Sequence, residues 1–63
     1  MAKAEDYIGL TKRGAQDKAE KNSFVFRLIR INKEPFMDYP TDVRTDRICI
    51  EIDDGVVSVA TIQ

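Results

Sequence analysis

The sequence predicts an α+β fold: one helix packed on a small mixed β-sheet, with a long exposed loop between two parallel strands. Three observations carry this. A polar stretch, GLTKRGAQDKAEKNS, places alanines four residues apart, the spacing of one helix face. Two apolar runs, FVFRLIRI and ICIEI, are β-branched and aromatic in character, which favours strand. Residues 32–46 separate the two runs, and parallel neighbours need a crossover of about a dozen residues.

Residues 1–8 read as a polar lead-in ending in Tyr7 and Ile8. Thr11 is the expected N-cap, because its hydroxyl can accept from a free N–H of the first helical turn. Ala15 and Ala19 then share a narrow, small-residue stripe, and Leu10 is placed to staple the entry. Gly14 within the helix costs about 1 kcal/mol relative to alanine. Asn22 is the expected stop, in a left-handed cap.

The first strand is expected over 24–31, with Phe24, Phe26 and Leu28 on one face and Val25, Arg27, Ile29 and Ile31 on the other. Apolar residues on both faces imply that the helix covers one side and that the other is partly covered. Ile48, Ile50 and Ile52 alternate with Cys49 and Glu51, the period-two signature of a strand over 47–53. Asp53, Asp54 and Gly55 signal a tight turn, which pairs this strand antiparallel with a third over 56–62. The expected core is Ala15, Ala19, Phe24, Phe26, Leu28, Ile48, Ile50, Ile52 and part of 56–62.

Sixty-three residues make one domain, 1–63, without internal repeats or a linker. A chain this short buries only roughly 60% of its unfolded surface, so its stability is marginal. One cysteine and no histidine exclude an internal disulfide and a structural zinc site of the usual four-ligand kind. No cofactor is expected. Ten basic residues against eleven acidic ones do not make the basic face that nucleic acid requires. No apolar stretch approaches the roughly 20 residues of a membrane span. MAKAEDY lacks the apolar centre of a signal peptide, and a lone cysteine suits a reducing compartment. A cytoplasmic location is the expectation.

Without histidine, Ser-His and Cys-His nucleophiles cannot be built, and an enzyme is not expected. Cys49 sits mid-strand with no activating base, and reads as a small strand residue. Asp53 and Asp54 beside Gly55 read as turn residues rather than half of a metal site. Arg27 and Arg30 read as solvated or loop-anchoring residues, with anion binding as the alternative.

The loop is the informative segment. Pro35 and Pro40 each fix φ and remove a donor. Phe36, Met37 and Tyr39 are large apolar groups in a stretch expected at the surface. They either fold back as a satellite of the core or present at least one anchor to a partner. Asp38, Asp42 and Asp46 interleave with Arg44 and Arg47, and Arg–carboxylate pairs spanning a loop can hold its shape.

These stretches resemble the potato inhibitor I family of serine-protease inhibitors and its bacterial inhibitor relatives. The residues that carry the likeness are Gly9-Leu10-Thr11 with Ala15 and Ala19, Met37-Asp38-Tyr39, Asp46-Arg47-Ile48, and Glu51-Ile52-Asp53 with Asp54-Gly55. The resemblance implies that Pro35, Phe36, Met37, Asp38 and Tyr39 form a protease-binding loop. Met37–Asp38 would be its reactive bond and Met37 the residue entering the primary specificity pocket of a subtilisin- or chymotrypsin-type enzyme. By the resemblance Arg47 would support the loop from the strand by donating to Asp38; Arg44 is a loop support on its place among the aspartates, outside the resemblance. Three departures stand out. Phe36 replaces the family's usual threonine, Cys49 replaces its second supporting arginine, and PTDVRTD is longer than its link. The same composition is compatible with a non-inhibitory interaction module that self-associates through a free edge strand.

Overall fold

The computed structural model describes residues 3–63, so Met1 and Ala2 of the lead-in lie outside the described residues. Ala4–Tyr7 is a 3-10 turn. It was expected as a polar lead-in outside the core, but it delivers Tyr7 into the core, where the residue is 0% exposed. The Tyr7 ring packs tilted against Phe24, with centroids 6.4 Å apart, and the Lys18 ammonium lies 5.8 Å from its centre. The Tyr7 hydroxyl accepts from the Asn22 side-chain amide at 3.0 Å. A buried phenol needs such a partner. Gly9 and Leu10 then bond both backbone groups of Val57, at 2.9 and 2.7 Å, fastening the N-terminal segment to the last strand.

Helix α1 spans Lys12–Lys21. The Gly14 N–H donates to the Thr11 hydroxyl at 3.1 Å, the expected cap. A Cβ at Gly14 would stand 3.2 Å from that hydroxyl, so glycine keeps the cap close. Ala15 and Ala19 are fully buried, and their small side chains let the helix lie near the sheet. The C-terminus differs from expectation. Asn22 has φ −92°, and the left-handed residue is Ser23 at φ 59°. Ser23 N–H bonds the Glu20 carbonyl and Phe24 N–H bonds the Ala19 carbonyl, which is the Schellman arrangement. Asn22 is thereby left free to serve Tyr7.

Four strands form one sheet: β1 (Val25–Ile31), β2 (Glu34–Pro35), β3 (Arg47–Asp53) and β4 (Val56–Ile62), in the order β2-β1-β3-β4. β1 and β3 are parallel, and the other pairs are antiparallel. The turn between β3 and β4 has Asp54 at φ 53° and Gly55 at φ 83°. Both values are positive, as a two-residue hairpin turn demands. β2 was not expected. Asn32 takes φ 53° and folds the chain straight back, so that Ile31 faces Glu34 and Arg30 faces Pro35. Proline is tolerated here because the strand is an outer one. The segment expected to be a continuous loop is therefore a short hairpin followed by residues 36–46, which carry no regular structure.

The core lies on the helix side of the sheet. Tyr7, Ala15, Ala19, Ile48, Ile50, Ile52 and Val57 are buried together, with Phe24, Phe26, Leu28 and Ile31 packed against them. Ile31 was expected on the opposite face. A bulge moves it. Leu28 pairs with Ile50 but Arg30 pairs with Glu51, so Ile29 is an extra residue and the alternation resets beyond it. The other face of the sheet is covered too: Cys49 is buried, and Arg47 is only 8% exposed.

A domain of this size has a total stability of only about 3–9 kcal/mol, at roughly 0.05–0.15 kcal/mol per residue. Truncating a buried aromatic costs about 3–5 kcal/mol. Tyr7→Ala is therefore expected to leave much of the population unfolded at room temperature, whereas Tyr7→Phe, which loses one hydrogen bond, should cost about 1 kcal/mol. Urea denaturation followed by far-ultraviolet circular dichroism distinguishes the two. Wild-type stability in Tyr7→Ala would show that the N-terminal turn is not part of the core.

Candidate functional site

The candidate site grows out of the bulge in β1. The Ile29 carbonyl accepts from both Phe36 N–H, at 2.8 Å, and Met37 N–H, at 3.2 Å. This double acceptor starts the loop and fixes where it leaves the sheet edge. The Arg27 guanidinium then grips the Asp38 main-chain oxygen through Nε at 3.1 Å and Nη2 at 2.8 Å. Two parallel N–H donors on one oxygen fix its position more tightly than one. The Tyr39 hydroxyl donates to the Glu51 carboxylate on β3. Further along, Arg47 Nη2 donates to the Asp42 carboxylate at 3.1 Å and to its main-chain oxygen at 3.3 Å. Residues 36–42 are thus tied to β1 and β3 at four places.

Between these ties, Phe36 is 55% exposed and Met37 53% exposed. Of the sequence-expected residues, Pro35 belongs to β2, and Phe36 and Met37 project from the sheet edge. Asp38 is held by its main chain, and Tyr39 by its hydroxyl. The expected bond from Arg47 to Asp38 is not formed. Arg47 instead bridges Asp42 and the Gln63 backbone oxygen, the latter at 2.8 Å. The physical reason is reach. Arg47 opens β3 at the end where residues 40–46 return, whereas Asp38 lies beside Arg27 on β1. Arg27 thus does the work expected of Arg47, and it takes a carbonyl rather than a carboxylate. Arg44 makes a two-point pair with its near neighbour Asp46, at 2.8 and 2.7 Å. That pair shapes the loop locally and does not tie it to the sheet. Asp46 is lowered by Arg44, and Asp42 by Arg47, each below the usual aspartate range.

Beneath the loop lies a second group that sequence reasoning did not assemble. Arg30 donates to Glu51 at 2.8 Å, to both Asp53 oxygens at 2.8 and 3.0 Å, and to the Asn32 carbonyl. The Ser58 hydroxyl lies 2.6 Å from Asp53. Asn32 in turn accepts from the Asp54 N–H at 3.0 Å, lashing the two hairpin turns together. The donors from Arg30, and then Ser58, draw the Asp53 carboxyl down to about 2. Glu51 is lowered by Tyr39 and Arg30. Burial, reinforced by the bond to Glu51, pushes the Tyr39 hydroxyl up to about 12. Burial likewise raises the Cys49 thiol above its ordinary value, so it is not poised as a nucleophile. Glu51 and Asp53 already share one guanidinium. Among the described residues, no group of three or more His, Cys, Asp or Glu side chains is placed to hold a metal ion, and no helix is long and apolar enough to cross a membrane.

The arrangement holds a short apolar segment in one shape at the surface. No family model, curated protein or solved structure matches the chain.

The ties carry a pH signature. Asp53 and Glu51 have folded pKa values below their unfolded ones. The contribution of Asp53 is complete above its unfolded value of 3.8 and is lost as pH falls through about 2, and that of Glu51 is lost likewise as pH falls below its unfolded value of 4.5. Tyr39 has the opposite sign: its contribution is complete below the unfolded value near 10 and is lost as pH rises through about 12. Unfolding free energy is expected to be level between these limits and to fall on both sides. Tyr39→Phe should remove part of the alkaline fall, which the raised Cys49 thiol shares, and Arg30→Gln part of the acid one, which Asp42 and Asp46 share. Equal slopes in the variants and the parent would show that these ties do not form in solution.

Proposed function

We propose that this chain is a protein-binding module whose recognition element is the loop at 35–40, held by the sheet and offering Phe36 and Met37 to a partner. The observation that carries this reading is the exposure of both side chains between backbone ties at Ile29 and Arg27. Large apolar residues held out of the core at a cost in hydration are the usual anchors of an interface. A loop ordered before binding loses less entropy on docking than a mobile one.

The specific partner we propose is a serine protease of subtilisin or chymotrypsin type, met in a substrate-like manner with Met37 in its primary pocket. The M-D-Y and D-R motifs and their order between two parallel strands support this. The Met37 N–H is engaged by Ile29, so a protease would meet the side chain and carbonyl of Met37 first. The alternative is a non-inhibitory module that self-associates. It is favoured by β4, an outer strand of the sheet that itself carries the exposed Val59.

The decisive experiment is a titration against subtilisin and chymotrypsin, with cleavage followed by mass spectrometry. Tight inhibition is expected. Met37→Asp should weaken it by about 30-fold or more, a loss of at least ~2 kcal/mol. Arg27→Ala should turn the protein from inhibitor toward substrate, with the cut at Met37–Asp38. Neither inhibition nor slow cleavage at that bond, at micromolar protein, would reject the protease reading. Sedimentation as a dimer under the same conditions would then favour the alternative.

A further inference from the structure

On the helix side of the sheet, a groove of about 420 Å³ separates α1 from the loop, lined by Phe26, Leu28, Phe36, Met37, Lys12 and Gln16. Phe26 and Leu28 pack against the core and are half-buried, so each still shows one flank to the groove. Phe36 and Met37 form the loop wall, and both are more than half exposed. That wall is fixed, because the Ile29 carbonyl already holds the Phe36 and Met37 N–H groups. Arg27 grips Asp38 from the opposite face of the sheet. A ligand in the groove therefore lies on a sheet face and leaves every tie of the loop in place.

The lining selects the body of the ligand. Its apolar side chains come from β1 and the loop, and its polar ones, Lys12 and Gln16, only from the helix. A peptide would bring a donor and an acceptor at every residue, which phenyl, isobutyl and thioether groups cannot satisfy. A hydrocarbon chain brings none. Small-ligand sites have this make-up, mostly apolar with a few polar groups that set orientation.

Charge selects the head group. Lys12 has no carboxylate within 4.0 Å among the described residues. Gln16 stands four residues on, the position from which an acid would pair with it. Asp17 and Glu20 share a neighbouring depression with Lys12, but neither lines the groove. The first turn of α1 contains no acidic residue, so the helix dipole adds to the positive field of Lys12.

We infer that this groove binds a free medium-chain carboxylate. The ionised head meets the Lys12 ammonium and the Gln16 amide, and the tail lies over Phe26 and Leu28 against Phe36 and Met37. The same tail covers the groove-side flanks of Phe36 and Met37, so the carboxylate would compete with any partner that takes hold of those side chains. Binding itself does not rest on the partner.

The test uses three probes, each kept below its micelle concentration. Octanoate is the ligand proper, octylammonium reverses the charge on the same tail, and butanoate shortens the tail. Side-chain resonances of the full chain are followed by nuclear magnetic resonance. Octanoate is expected to shift the Leu28 and Met37 methyl signals and the Phe26 and Phe36 ring signals saturably, at millimolar concentration. Octylammonium should bind about tenfold more weakly. Butanoate should also bind at least about tenfold more weakly, since each methylene taken fully out of water is worth about fourfold. Lys12→Gln changes an exposed side chain and leaves the Thr11 cap intact. It should bring octanoate and octylammonium within about twofold of each other. Equal binding of octanoate and octylammonium by the parent chain would overturn the inference. So would shifts that fail to saturate or fall outside the groove, or a Lys12→Gln chain that keeps the parent's preference. Protease inhibition is measured without these ligands, so failure of either idea leaves the other standing.

Discussion

The extra residue at Ile29 is the constraint on which the rest of the structure depends. In an unbroken strand, Phe26, Leu28 and Arg30 would share the face that looks toward helix α1. A guanidinium would then be buried among Tyr7, Ala19 and the β3 isoleucines with nothing to pair with. Burying an unpaired charge is far costlier than losing one ladder bond. The bulge resolves this. Arg30 comes out beside Glu51, and Ile31 goes in beside Ile52. The freed Ile29 carbonyl is what catches Phe36 and Met37. One local irregularity therefore completes the core, seats the ion network and starts the loop.

The network under the loop is better understood as geometry than as energy. Its central members, Arg30, Glu51 and Asp53, are only partly buried, and ion pairs still in contact with water contribute little. Yet Arg30 touches Glu51, Asp53 and Asn32, and Asn32 touches Asp54. Two hairpin turns and the strand between them are thus fixed relative to one another. Tyr39 then lands on Glu51, an acceptor whose position Arg30 has already set. A planar guanidinium suits this task because its donors radiate in fixed directions, which a lysine ammonium cannot reproduce.

Much of the scaffold was legible in the sequence because it rests on periodicity. Ala15 with Ala19, and Ile48 with Ile50 and Ile52, repeat at the spacing of their elements and are buried where that spacing places them. The parallel pairing of β1 with β3 followed from the length of the connection. What escaped has no period. Tyr7 is a single aromatic in a polar stretch, and its burial depends on Phe24, Lys18 and Asn22, which are distant in sequence. The bulge is a one-residue event decided by competition between Arg30 and Ile31 for the core. Within the site, Phe36, Met37 and Tyr39 stand in the loop as expected, and loop anchoring was among the readings of Arg27. The partner of Arg47 depended on where residues 40–46 return, which no local pattern encodes.

The loop also serves the fold, and this joins stability to recognition. A small helix presenting alanines covers one face of the sheet, while the opposite face holds Cys49 and Arg47, both shielded from water. Arg27, Glu51 and Arg47 on that face each reach up to residues 38–42. The segment that would meet a partner is thus tied to the cover of half the sheet. Weakening a tie does more than loosen a binding element, because it also admits water to Cys49. In a chain this short, with a single cysteine and so no internal disulfide to hold the loop in place, ordering the loop and closing the second face are a single act of folding.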